Sequence, residues 1–107
     1  MKQRILNKHN ELRNIVAMGQ AADMNGDLLP PAAKMMEFQW DEELARGAQL
    51  YVDQCLPSFG HDWERAIPGF EDVGQNAFNN PFVDGGDEFG WEDAIQSWYD
   101  EVGNMFL

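Results

Sequence analysis

Basic side chains, cysteine and long apolar runs are scarce in this 107-residue chain. Lysine and arginine number 7 against 19 acidic residues, which gives a net charge of −12 at pH 7. We therefore expect no nucleic-acid partner, because neutralising phosphates requires clustered Lys and Arg. No run approaches the roughly 20 apolar residues of a membrane span. The charged start Met-Lys-Gln-Arg is not followed by the apolar segment of a signal peptide.

Threonine is absent, and the single cysteine, Cys55, leaves two interpretations open. In an intracellular protein it is a small buried hydrophobe, whereas in a secreted protein it implies a partner on another segment. Neither Ser58 nor Ser97 lies in a Gly-x-Ser-x-Gly elbow, and Cys-x-x-Cys and P-loop motifs are missing. The acidic residues 84–88 lack EF-hand spacing, so a solvated loop is expected there. From these absences we expect that the chain neither turns over a substrate nor binds a cofactor.

Three segments have the apolar spacing of helices. Residues 3–19 repeat apolar side chains at the 3.6-residue period, and Gly19 is a plausible terminator. Asp41 is expected to cap a second helix, which Pro57 ends. A third helix is expected to begin near Trp91.

Strand signals are weak by comparison. Only residues 73–78 are predicted to form a strand, and Gly74 and Asn76 lower its β-propensity. Asn25-Gly26 and Pro68-Gly69 are typical turn sequences. The residues alone therefore predict a mostly helical chain with one weak strand.

Five short segments carry a resemblance when they are taken in order. They are His9-Asn10-Glu11-Leu12-Arg13, Trp40-Asp41-Glu42-Glu43-Leu44-Ala45, Cys55 with Gly60-His61, Gly74-Gln75-Asn76, and Trp98-Tyr99-Asp100-Glu101. The set resembles the CAP superfamily, which includes antigen 5 proteins, cysteine-rich secretory proteins and plant pathogenesis-related group 1 proteins. Gly-His-Asp at 60–62 is most similar to antigen 5 and related arthropod secreted proteins. Glu64 is a departure, since antigen 5 proteins often have a second cysteine there.

The resemblance implies pocket roles for His61, Gln75 and Glu101. From the residues alone, His61 is also compatible with a surface loop and Glu101 with a solvated helix face. Gln75 stands where many members have glutamate, and its amide cannot act as a base or an anionic metal ligand. The family's second pocket histidine is expected to lie outside this chain. We therefore expect no metal site in this chain alone, although His61 is a candidate ligand in a full-length form.

Structural roles follow from the same resemblance for His9, Asn10, Arg13 and Asn76. His9 lies on the apolar stripe of the first predicted helix, which favours a core or interface histidine with a local hydrogen bond. Arg13 is expected to donate to loop carbonyls or to a carboxylate. Cys55 becomes a disulfide candidate whose partner lies on a missing segment.

The fold implied by the resemblance is α+β, an α-β-α sandwich with helices on both faces of an antiparallel sheet. Residues 1–107 would form the N-terminal part of that domain, without its C-terminal strands. The implied function is that of a secreted, antigen 5-like (venom allergen) protein that binds an extracellular protein or a small lipid such as a sterol. Two alternatives remain: a metal-assisted hydrolase that uses His61 and Glu101 in a full-length form, and an inactive truncated gene product.

Overall fold

The structure is a computed structural model that describes residues 1–57, 60–79 and 90–104. Within these ranges it contains α1 (Lys2–Ala17), α2 (Glu42–Asp53) and α3 (Trp91–Asp100), followed by a 3₁₀ helix (Glu101–Asn104). The chain divides into two compact units. The first unit comprises Met1–Gln39 and the described residues 90–104, and the second unit comprises Trp40–Asn79.

The first unit is built on the packing of α1 against α3. Its buried apolar side chains come from both helices and from the segment after α1: Ile5, Leu12, Ala21, Ala94 and Ile95. The predicted apolar period of the first helix is therefore confirmed at Ile5 and Leu12. At one exposed edge Arg4 Nε lies 3.1 Å from Glu92 Oε1, which adds an ion pair between the two helices.

Gly19 provides the left-handed residue after α1, as expected. The helix ends at Ala17 with Met18 as its C-cap, and Gly19 has φ +71°. Glycine is favoured there because a side chain is strained at positive φ. A Cβ at Gly19 would also lie 3.2 Å from Pro31 Cδ, so the backbone turns tightly against the following loop.

The predicted Asn25-Gly26 turn is confirmed and is organised by a buried carboxylate. Asp23 Oδ1 accepts from the backbone N–H groups of Asn25 and Asp27, at 2.9 and 3.1 Å. Gly26 has φ +81°, and an antiparallel bridge closes the turn between residues 22 and 28. Because its partners are backbone amides, the Asp23 carboxylate is buried without losing its hydrogen bonds.

The second unit begins at the cap predicted from the sequence. Asp41 Oδ1 accepts from Leu44 N at 2.9 Å, which satisfies one of the free N–H groups of α2. The helix ends at Asp53, before Pro57, because the chain turns through Cys55 at φ +50°. No residue of α2 is fully buried, and the expected apolar stripe is at most half-buried, at Leu44 and Tyr51. Cys55 is exposed, and its interpretation as a buried hydrophobe is wrong.

The strand predicted at residues 73–78 is wrong. This stretch is irregular, since it has no partner strand among the described residues, and Gly74 and Asn76 do not favour extended pairing. The Val73 carbonyl instead accepts a hydrogen bond from the Arg65 side chain. The Pro68-Gly69 turn is confirmed by Gly69 at φ +90° and by two backbone hydrogen bonds between residues 67 and 70.

Two further expectations, for the acidic loop at 84–88 and for Ser58, lie outside the described residues. Among the residues that are described, none of the helices has the length and apolar character needed to cross a membrane.

Candidate functional site

A shared oxygen joins two of the predicted pocket residues in the second unit. His61 Nδ1 lies 2.8 Å from Gln75 Oε1, and the Asp62 backbone N–H donates to the same oxygen at 3.0 Å. His61 is exposed and Gln75 is half-buried. The loop after α2 and the irregular segment at 73–78 thus meet at one amide group.

These contacts assign the protonated nitrogen of the neutral His61 ring. A backbone N–H can only donate, so the atom that faces Asp62 N is the amide oxygen of Gln75. The same oxygen can only accept from His61, which places the imidazole proton on Nδ1. Nε2 therefore keeps its lone pair. The ring presents a hydrogen-bond acceptor at its free end.

Arg65 connects the two segments that carry this pair. Its Nη1 donates to the Asp62 carbonyl at 2.8 Å, and its Nε donates to the Val73 carbonyl. The side chain is half-buried. The guanidinium group thus links the residue after His61 with the residue two positions before Gln75.

An exposed indole borders the same site. The Trp63 ring centroid lies 6.3 Å from that of His61 in an edge-on arrangement, and the residue is 84% exposed. Trp63 also lines an open cleft of about 400 Å³, together with Arg65, Ala66 and residues 71–74. An exposed aromatic ring beside a cleft can supply apolar contact area to a ligand.

The loop that carries His61 is attached to α2 by a tyrosine. Tyr51 Oη donates to the Gly60 carbonyl at 2.9 Å, directly before His61. On the other side of His61, Glu64 N donates to Asp62 Oδ1 at 3.0 Å and closes a local turn. These two hydrogen bonds help to define the loop that presents the imidazole.

Glu101 lies in the first unit, where it is exposed at the start of the 3₁₀ helix. Asn76 is exposed and follows Gln75 in the second unit. The structure brings His61 and Gln75 into contact, whereas the roles of Glu101 and Asn76 remain predictions. In the residues that the structure describes, no group of three or more His, Cys, Asp or Glu side chains is placed to hold a metal ion.

His9 lies near two aromatic rings in the first unit. Its Nδ1 is 2.9 Å from the Ile5 carbonyl, one turn earlier in α1. Its ring centroid lies 5.8 Å from that of Phe38 and 6.3 Å from that of Trp98. The half-buried ring therefore packs among aromatic side chains and makes a hydrogen bond within its own helix.

Asn10 and Arg13 hold the segment before α2 against α1. The Asn10 side-chain amide accepts from Phe38 N at 2.7 Å and donates to Phe38 O at 3.2 Å, as a neighbouring strand would. Arg13 donates twice to the Met36 carbonyl, at 3.1 and 2.8 Å, and its guanidinium lies 4.0 Å from the centre of the Phe38 ring. We call these contacts the α1 clamp.

Sequence reasoning missed Arg65 and Trp63 as parts of the site. Arg65 is the last basic residue of the chain and is followed by a long acidic stretch, which is the one signal that distinguishes it. Its partners are backbone carbonyls, and no pattern of residue types predicts such contacts. Trp63 lacks the helical spacing that would have marked it as a core residue.

Comparisons with known proteins show the family that the five short segments resemble. The model of the CAP (cysteine-rich secretory protein) family matches residues 6–106, and the chain belongs to this family. It is 47% identical over 102 residues to venom allergen 5 of Tityus serrulatus, a match that covers 92% of this chain and 23% of that protein. It is 41% identical to venom allergen 3 of Solenopsis invicta, with 94% of this chain and 42% of that protein covered.

A third relative, "Cysteine-rich secretory protein 3" of Equus caballus, is 33% identical, with 95% of this chain and 34% of that protein covered. The chain thus spans less than half the length of these curated relatives. No solved structure gives a significant match.

Proposed function

We propose that residues 1–107 are part of a secreted, antigen 5-like CAP domain that binds an extracellular protein or a small lipid and does not turn over a substrate. The names of the relatives, which include venom allergens and a cysteine-rich secretory protein, support the class and the location. The observation that carries the proposed binding role is the contact of His61 with Gln75 beside the exposed Trp63.

The chemistry of this contact favours binding over acid–base catalysis. A catalytic histidine is usually oriented by a carboxylate, which stabilises the imidazolium that forms during proton transfer. Gln75 orients the ring but carries no charge, so it gives the imidazolium no such stabilisation. The free Nε2 can still accept a hydrogen bond from a ligand hydroxyl or N–H group, and Trp63 can cover the apolar part of that ligand.

We extend the proposal to the rest of the domain. Glu101 is proposed as a third pocket residue, and Asn76 as part of the framework with the α1 clamp. The helices are proposed to belong to an α-β-α sandwich, which family membership supports. Cys55 is proposed to form a disulfide with a cysteine outside this chain, and its exposed thiol is accessible for that reaction.

A vesicle-binding experiment tests the lipid form of the proposal. The chain is mixed with phosphatidylcholine vesicles with and without cholesterol, and binding is followed by sedimentation and tryptophan emission. Binding is expected to blue-shift the emission, because the Trp63 indole is largely exposed to water in the free chain. Gln75→Ala should weaken binding several-fold, whereas the matched variant Gln49→Ala on the exposed face of α2 should bind as the wild type does.

If Gln75→Ala binds the vesicles as strongly as the wild type does, the ligand does not bind at this site. If the chain binds neither the vesicles with cholesterol nor those without it, the lipid form of the proposal is wrong. Secretion is tested separately, by comparing the amount of the natural protein in culture medium and in cell extract.

The absence of turnover is tested with a panel of peptides and esters in the presence of zinc. We expect no hydrolysis above background. Turnover that His61→Ala abolishes would instead establish the hydrolase alternative.

A further inference from the structure

The segment that carries Gln75 is irregular in the part of the chain that the structure describes. Residues 73–78 have no strand partner among the described residues. Hydrogen bonds join this segment to residues 61–65: two at Gln75 Oε1, and one from the Arg65 side chain to the Val73 carbonyl.

Arg65 is well suited to fix the spacing between the two segments. Its planar guanidinium holds its donors at fixed angles, so the Val73 and Asp62 carbonyls that it binds are held at a set separation. Asp62 directly follows His61, and its own N–H donates to Gln75 Oε1. One side chain thus sets the distance that the imidazole and the amide must bridge.

We propose that Arg65 is a positioning residue, which keeps His61 bonded to Gln75 and so keeps the imidazole proton on Nδ1 and the lone pair on Nε2. This inference rests on the proposed function, because it concerns the same site. It assigns Arg65 a role that does not require contact with the ligand. Without Arg65 the two segments separate more often, and the proton distributes between both ring nitrogens.

The test measures the tautomer of His61 in the full chain. Long-range ¹⁵N–¹H correlation spectra are recorded at a pH of about 8.5, where an imidazole is neutral. In the wild type we expect the Nδ1–H form of His61 to predominate. Arg65→Gln should lower the ratio of the Nδ1–H to the Nε2–H form about fivefold, which corresponds to about 1 kcal/mol, the net value of one hydrogen bond.

Arg46→Gln is the matched control, because Arg46 is an exposed arginine of α2 in the same unit and its loss changes the charge equally. Its tautomer ratio should equal that of the wild type. Arg65→Lys keeps the charge but not the planar fork, so it should shift the ratio in the same direction by a smaller factor. This second variant tests the same point if Arg65→Gln does not fold.

Gln75→Ala separates the two possible failures. If Gln75→Ala shifts the ratio and neither Arg65 variant does, Arg65 is not a positioning residue. The His61–Gln75 hydrogen bond, on which the proposed function rests, is then still supported. If Gln75→Ala also leaves the ratio unchanged, the His61–Gln75 contact itself does not form, and both proposals are overturned. A shift in Arg46→Gln as large as in Arg65→Gln would show a general charge effect and would likewise overturn the positioning role.

Discussion

Replacing Asn10 by alanine tests the α1 clamp directly. The Asn10 amide makes two hydrogen bonds with the backbone of Phe38, at 2.7 and 3.2 Å. Alanine removes both and leaves the Phe38 N–H and C=O to water, since Phe38 is exposed. Asn14, which is exposed on the same helix, provides a matched control for the same substitution.

The two substitutions change helix propensity equally, but only Asn10→Ala removes hydrogen bonds to Phe38. Alanine has a better helix propensity than asparagine by about 0.6 kcal/mol, and both variants gain this amount. Asn10→Ala also loses two hydrogen bonds, each with a net value of about 0.5–1.5 kcal/mol. The partly exposed position argues for the lower half of that range. We therefore expect Asn14→Ala to be slightly more stable than the wild type and Asn10→Ala to be less stable, with a difference of about 1–2 kcal/mol between them.

Urea denaturation followed by circular dichroism measures this difference. The midpoint should fall for Asn10→Ala and rise slightly for Asn14→Ala, while the slope m stays constant, because neither change alters the surface exposed on unfolding. Equal midpoints for the two variants would refute the reasoning, since the hydrogen bonds to Phe38 would then make no net contribution to stability.

Three further predictions concern the helix ends and the contact between α1 and α3. The hydrogen bond and charge of Arg4 lower the pKa of Glu92 from its ordinary value of 4.5. Because the pKa of Glu92 is lower in the folded than in the unfolded state, the pairing stabilises the protein above about pH 4.5, and this stabilisation is lost as pH falls through the lowered pKa. In acid titrations the small excess in stability of the wild type over Glu92→Gln should therefore disappear. Asp41→Ala should destabilise the chain by about 1 kcal/mol in thermal melts, since it removes the cap of α2. Gly19→Ala should lower the free energy of unfolding by about 1–2 kcal/mol, because φ is +71° and the new Cβ meets Pro31 at 3.2 Å. The urea midpoint should fall accordingly, and an unchanged midpoint would contradict that geometry.

Local chemistry made much of the secondary structure predictable. The cap of α2 at Asp41 and the left-handed Gly19 after α1 depend on only a few neighbouring residues, and the sequence pattern therefore predicted both. Strand 73–78 was predicted wrongly, because a strand needs a partner and no local pattern shows whether one is present. The apolar spacing of α2 likewise predicts which side chains share a face, but it does not show that another element covers that face.

The candidate site divides in the same way. His61 and Gln75 were selected by their place in short motifs, and the spacing of those motifs says nothing about the 2.8 Å hydrogen bond that joins them. Arg65 acts through two backbone carbonyls, so its partners depend on where the chain runs. The pocket role of Glu101 stays a prediction.

The sequence by itself determined the family, the three helices, the Asp41 cap and the glycine after α1, because these features depend on residue types at short and fixed spacings. The tertiary structure decided which groups meet. It placed Asn10 and Arg13 of α1 on the backbone of residues 36–38, and it joined His61 to Gln75 across a separation of 14 residues. Such contacts depend on the path of the whole chain, since a hydrogen bond requires its donor and acceptor to lie within about 3 Å of each other.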